Sequence, residues 1–217
     1  MLSPRELQRI IKEINGIQTE EFALRLVQRS MENYMRDQLI MKLQNHLGVL
    51  KPKYLVIPEW KYCDISIHSS DNIKFDKPSL VIELKWSTVG YALMGKEKFI
   101  EREIRKDVEK IKNLNLPTDI PKYQIFFMRH PHELPTPRKN YYSFIRGYDH
   151  HKKGSIILQE YNVANKISST IEQLLYQKMD GYYQNIDSRI KTKIFQIPSG
   201  NALGTDWSIY VTIASIP

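Results

Sequence analysis

A single cysteine, Cys63, stands among the 217 residues, so the chain can form no internal disulfide and lacks the thiolates of a cysteine-rich zinc site. Cys63 reads instead as a small apolar core residue. No apolar run approaches the ~18 residues that a membrane helix needs. The opening stretch MLSPRELQRIIKEI is charged and amphipathic, without an apolar segment of signal-peptide type. These absences predict a cytoplasmic protein with no membrane association. Internal repeats, low-complexity tracts and linkers are missing too. One domain over residues 1–217, large enough to bury a real core, is the expectation. His130-x-His132 and His150-His151 could suggest zinc, but with one cysteine in the chain and loop-like surroundings they read as surface histidines. The stretch GNALG is too short for a phosphate-binding loop.

What is present is positive charge. The formal net charge is +8, which suits a polyanionic partner, above all nucleic acid. Residues 120–153 carry seven Lys and Arg (Lys122, Arg129, Arg138, Lys139, Arg146, Lys152, Lys153) against Glu133 and Asp149. Tyr123, Tyr141, Tyr142 and Tyr148 are interleaved with them. Such a stretch can contact phosphates and bases; it can equally be a solvated insertion. Arg189, Lys191 and Lys193 alternate with Ile190, Thr192 and Ile194, giving one strand a basic face. That face suits a DNA backbone or an exposed sheet edge.

Apolar periodicity predicts a helix over 4–14 and a long one over residues 18–48, with Thr19 as N-cap and Gly48 as stop. The runs KYLVIPEW, CDISIH and LVIELKW read as three successive strands, antiparallel because their connections are short. In 96–114, Phe99, Ile100, Ile104, Val108, Ile111 and Leu114 fall at helical spacing, with charges covering the other face. YQIFFM then reads as a buried strand, placed parallel beside 80–86 by the crossover helix. VANKISSTIEQLLYQKM predicts a third helix, and the chain's last two apolar runs predict a hairpin. The expected fold class is α/β, a mixed central sheet flanked by helices.

The stretch SLVIELKWS breaks the pattern of a buried strand, because Glu83 and Lys85 sit in its interior. Alternation puts them together on one face with Val81, and in CDISIH it puts Asp64 on the face of Ser66 and His68. If the two strands pair, Asp64 meets Glu83. Two adjacent carboxylates repel one another, and burial adds to the penalty; a divalent cation reverses both. Asp, Glu and Lys grouped in this way suit phosphodiester hydrolysis, where a metal activates water and a lysine orients it. Glu32, Met35, Leu39 and Leu43 form a helical stripe, so Glu32 is either a third ligand or the partner of Arg29 or Arg36. An edge strand defended by charges is the alternative, but Leu80, Val81 and Ile82 make the run read as central.

Asp64, followed after eighteen intervening residues by Glu83-Leu84-Lys85, resembles the signature of the PD-(D/E)xK nuclease superfamily, the restriction-endonuclease-like fold. The order of elements is also similar: a helix with Glu32, strands with Glu59, Asp64 and Glu83/Lys85, a helix, a strand. The resemblance covers about residues 20–130, which would be the nuclease core; residues 131–217 would be an elaboration for recognition or dimerisation. The residue before Asp64 is Cys63 rather than proline. What the resemblance implies is a Mg²⁺ ion, with Mn²⁺ as substitute, held by Asp64, Glu83 and the Leu84 carbonyl. Lys85 would position the attacking water and Glu32 would support the metal, with Glu59 a weaker candidate. It further implies a Type II restriction endonuclease acting on DNA as a homodimer, without a small-molecule cofactor. Arg129, Arg138, Lys139, Arg146, Lys191 and Lys193 would then contact DNA. A repair, recombination or defence nuclease of the same fold and a non-catalytic nucleic-acid-binding module are the other readings.

Overall fold

Val81 and Ile82 are adjacent in sequence, and both are fully buried. A strand points successive side chains to opposite faces, so this requires cover on both sides of the sheet. The computed structural model describes residues 2–14, 19–28, 31–48, 54–71, 76–93, 97–132, 168–202 and 204–217. It is α/β: a mixed six-stranded sheet between two layers of helices. In chain order the elements are α1 (Pro4–Lys12), α2 (Glu20–Gln28), α3 (Glu32–Gly48), β1 (Tyr54–Trp60), β2 (Cys63–Ser69) and β3 (Leu80–Thr88). There follow α4 (Val89–Leu93), α5 (Glu97–Lys112), β4 (Lys122–Pro131), α6 (Ser168–Gln184), β5 (Lys191–Ala202) and β6 (Thr205–Ile216).

The strand order is β1-β2-β3-β4-β6-β5, with β3 and β4 parallel and every other neighbour antiparallel. The expected crossover is there: α5 carries the chain over one face and returns β4 beside β3. Leu80, Ile82, Leu84, Ile125 and Phe127 pack under α1, α2 and α3, while Val81, Phe126 and Met128 pack under α5 and α6. Residues 205–216 lie along β4 for its whole length, so β6 sits inside the sheet between β4 and the edge strand β5. No helix among the described residues is long and apolar enough to cross a membrane.

The single long helix expected over 18–48 is two. Thr19 caps the first as expected, accepting at Oγ1 from Phe22 N at 3.2 Å. The apolar stripe explains the division. Phe22 and Leu26 are spaced by four, and Met31, Met35, Leu39, Leu43 and Leu47 by four each, but the step from 26 to 31 is five. One straight helix cannot keep both sets on one face. Met31 accepts at its carbonyl from Met35 N, so α3 begins afresh and Glu32 becomes its first residue. The third expected helix is described over Ser168–Gln184; the earlier part of its pattern, 163–167, lies outside the described residues. The short α4 gave no sequence signal of its own.

Candidate functional site

β2 and β3 pair from Ile67↔Leu80 to Ile65↔Ile82 and then part. On the far side of β2, Glu59 adopts a left-handed backbone with φ 55° opposite Asp64 and drops out of the β1–β2 ladder. Past the fork, Leu84 and Trp86 present N–H groups to an edge that no strand among the described residues pairs with. Two carboxylates meet them. Leu84 N donates to Asp64 Oδ2 at 2.7 Å, and Trp86 N donates to Glu32 Oε2 at 3.0 Å. An unpartnered buried N–H costs about 1–3 kcal/mol, so each acid substitutes for a missing ladder bond. The break before α3 is what lets Glu32 reach across.

Asp64, Glu83 and Lys85 share the sheet face that looks toward α5. Glu83 is buried; its Oε1 accepts from Lys110 Nζ at 2.5 Å, while its Oε2 has no hydrogen-bond partner. Burial, and after it the charge of Asp64, pushes the Glu83 carboxyl up to about 7. Burial also raises Glu32, with the Asp64 charge adding to it and Lys85 opposing. The Cys63 thiol is buried as expected and pushed up to about 12, first by burial and then by the charge of Glu83. It stands as a neutral group.

Lys85 Nζ lies 3.1 Å from Glu103 Oε2 and 3.8 Å from Asp107 Oδ2. Burial pulls the ammonium down, but Asp107, Glu103 and Glu32 together hold it above the ordinary lysine value. Glu103, Asp107 and Lys110 project from one side of α5 at i, i+4 and i+7. The expected division of this helix into an apolar face and an outer charged face therefore needs correction: Asp107, only 3% exposed, lies on the buried stripe itself. Its Oδ2 accepts from Gln124 Nε2 at 2.9 Å, and Gln124 Oε1 accepts from the Tyr183 hydroxyl at 2.7 Å. Four elements thus join a buried chain, Tyr183–Gln124–Asp107–Lys85. Replacing Tyr183 with Phe leaves Gln124 Oε1 without its donor. The expected loss is about 1–3 kcal/mol of stability in urea denaturation, larger than an exposed Tyr→Phe change would give.

Sequence reasoning did not find Glu103, Asp107, Lys110, Gln124 or Tyr183. Two signals were available: an aspartate in phase with Ile104 and Ile111, and a lone glutamine inside YQIFFM. Glu59 stays outside the cluster, exposed and paired with Arg36 Nη1 at 2.9 Å. Arg36 therefore does not serve Glu32.

Of the expected DNA contacts, Arg129, Lys191 and Lys193 fall among the described residues. The Arg129 guanidinium donates to the Leu26 carbonyl and so holds the last turn of α2. Lys193 pairs with Ile213 and Lys191 with Ser215 on the face packed by α2, opposite to Glu83 and three strands away. Arg138, Lys139 and Arg146 lie outside the described residues, as do His150 and His151. His130 is fully buried rather than on the surface, its ring edge-on to Tyr210 at 6.0 Å between centroids, and burial lowers its pKa to about 3. His132 shares a 2.7 Å hydrogen bond with Ser208.

Asp64 and Glu32 face backbone amides and Glu83 faces Lys110. Among the described residues no three His, Cys, Asp or Glu side chains are gathered as a ready metal shell. The ligand-like features are separate: an unpartnered buried carboxylate oxygen on Glu83, a second acid beside it, and the remaining oxygens of Asp64 and Glu32. Compared with protein-family models, with curated proteins and with solved structures, the chain matches no family model, no curated protein and no solved structure.

Proposed function

We propose that this chain is a Mg²⁺-dependent endonuclease that hydrolyses DNA phosphodiester bonds in the manner of the PD-(D/E)xK nucleases it resembles. One observation carries the reading: the buried, unpartnered Glu83 Oε2 beside Asp64, at the open edge where β2 and β3 diverge. Such an acceptor is unfavourable by itself. A hard divalent cation is the ligand that satisfies it and cancels the repulsion between the two acids. The residues fit the ion. Glu83 Oε2 and the second oxygen of Asp64 would hold it, and Glu32 would support it. In a strand the C=O of a residue points to the same side as its N–H, so the Leu84 carbonyl looks toward the same edge. Bound there, the ion would supply Lewis acidity toward a phosphoryl oxygen and an acidified water.

The chain's own residues carry the remaining work. Lys85 acts as a fixed positive charge rather than a base, because Glu103 and Asp107 keep its ammonium protonated. It orients the attacking water and offsets charge on the phosphoryl group. Asp107, held by Gln124 and Tyr183, sets where that ammonium stands. Water attacks phosphorus in line, the P–O3′ bond breaks, and the products carry a 5′-phosphate and a 3′-hydroxyl.

Incubation of supercoiled plasmid with Mg²⁺ is expected to give nicked and linear DNA, with none in EDTA. Lys85→Ala is expected to cut at least about 100-fold more slowly with its circular dichroism unchanged. Plasmid left intact by the wild type in both Mg²⁺ and Mn²⁺ would remove this reading. Discrete fragments would favour a Type II restriction enzyme working as a dimer on a palindrome. A smear, or cleavage restricted to branched or frayed DNA, would favour a structure-directed nuclease of the same fold.

A further inference from the structure

The hairpin joining β1 to β2 turns in two residues, Lys61 and Tyr62, between the paired Trp60 and Cys63. Both turn residues are left-handed, with φ 45° and 72°. Two-residue turns with both central φ values positive are normally Asn-Gly or Asp-Gly, because a Cβ is disfavoured there. A bulky aromatic in that conformation is an outlier. Folding gives nothing visible in return: Tyr62 is 88% exposed, far more than any other large apolar side chain among the described residues. Local strain of this sort persists at sites of function when the surrounding structure enforces it. Here the enforcement is plain. Trp60 is gripped by the Lys61 ammonium 4.8 Å above its ring and by the edge of His68 at 5.3 Å, and Glu59 is tied to Arg36. A rigid base thus presents one aromatic ring and one lysine to solvent.

Position supplies the second argument. Asp64 follows Tyr62 by two residues, at most about 7 Å of chain. A nucleic acid strand at Asp64 and Glu83 would therefore lie within reach of the tip. We infer that Tyr62 is a stacking platform for an unpaired base next to the scissile phosphate, with Lys61 pairing the adjacent phosphate. The inference rests on the nuclease reading and deepens it, since a platform of this kind selects substrates with a base already out of its stack. Stacking on an exposed aromatic ring tolerates any base and needs no groove readout. A cation beside it adds a salt-dependent share.

The test measures binding in EDTA of a short single strand carrying 2-aminopurine, and of the same sequence as a perfect duplex. Tyr62→Ala is expected to weaken single-strand binding roughly 5- to 100-fold, to affect the duplex less, and to leave the salt slope unchanged. Lys61→Ala is expected to reduce that slope by about one. Tyr62→Phe should bind as wild type. Tyr62→Asn, which suits a left-handed backbone, should raise Tm by about a few degrees while binding as poorly as the alanine variant. That opposition separates a binding role from a folding one. Tyr62→Ala binding the single strand as tightly as wild type, or losing no more there than on the duplex, overturns the inference. So does a Tyr62→Ala protein that changes oligomeric state, since the tip would then serve a second copy of the chain. If wild type cuts DNA while Tyr62→Ala binds normally, only the tip's role falls. If wild type neither cuts nor binds DNA, the nuclease reading falls as well.

Discussion

Asp64→Asn is expected to abolish DNA cleavage, by at least about 1,000-fold, in a protein no less stable than the wild type at pH 8. The two effects have opposite signs because Asp64 does two jobs of unequal kind. Its Oδ2 accepts from Leu84 N at 2.7 Å, and an asparagine carbonyl can accept the same bond. Its charge, by contrast, works against the metal-free fold, since it stands among the causes that raise both Glu83 and Glu32. Asparagine removes the repulsion and offers an amide donor in the region of Glu83 Oε2, which has no partner. What is lost is a cation ligand. Cleavage rates on supercoiled plasmid, set beside urea midpoints without metal, decide the matter. A variant that is both inactive and markedly destabilised would make Asp64 a structural acid first.

Glu83→Gln is expected to gain stability over the wild type as pH rises from 5 to 8 without metal, by on the order of 2 kcal/mol. The sign follows from the proton balance. Glu83 has a folded pKa of about 7 against an ordinary 4.5, so across this interval the native state holds a proton that the unfolded chain has released. Stability contributed by the protonated form is full below about 4.5 and is lost as pH climbs through 7. Lys85 and Lys110 are both raised from an ordinary 10.5; what they contribute is lost only in strongly alkaline solution. His130, lowered to about 3 by burial, acts the other way below its ordinary 6.5 and weakens the fold in acid. It titrates alike in both proteins and cancels in the comparison. Denaturant titrations of the pair at several pH values give the difference directly; a difference flat across the range would mean that Glu83 ionises as an ordinary carboxylate. Added Mg²⁺ should stabilise the wild type at pH 8 far more than Glu83→Gln.

Much of the sheet was legible in the sequence because its strands are short, β-rich and bounded by turn residues. The parallel placement of β4 beside β3 followed from the helix between them. The shared face of Glu83 and Lys85 followed from alternation, and Asp64 joined it on the expectation that its strand pairs with theirs. What escaped was anything set by two segments meeting. The α2–α3 division rests on a one-residue slip in an apolar stripe with no glycine or proline to mark it. Asp107 and Lys110 looked like members of a solvated face, since helical spacing does not tell how wide the buried sector is until the sheet beneath is known. The fate of Arg129 depended on where α2 ends, which no pattern around Arg129 encodes. Lys191 and Lys193 were legible as alternating residues but not as residues on the face away from Glu83, because that choice belongs to the pairing of β5 with β6.

Helix α5 lies in the crossover between two parallel neighbours: β3 leads to it through α4, and β4 follows it. An added or deleted residue between Ile100 and Asp107 would rotate everything beyond it by about 100°. Asp107 and Lys110 would then swing off the strand while the apolar packing went only partly out of step. The spacing along that one helix is thus held as tightly as the identity of the acids it faces, and insertions there should be tolerated far less well than in the connections at the rim.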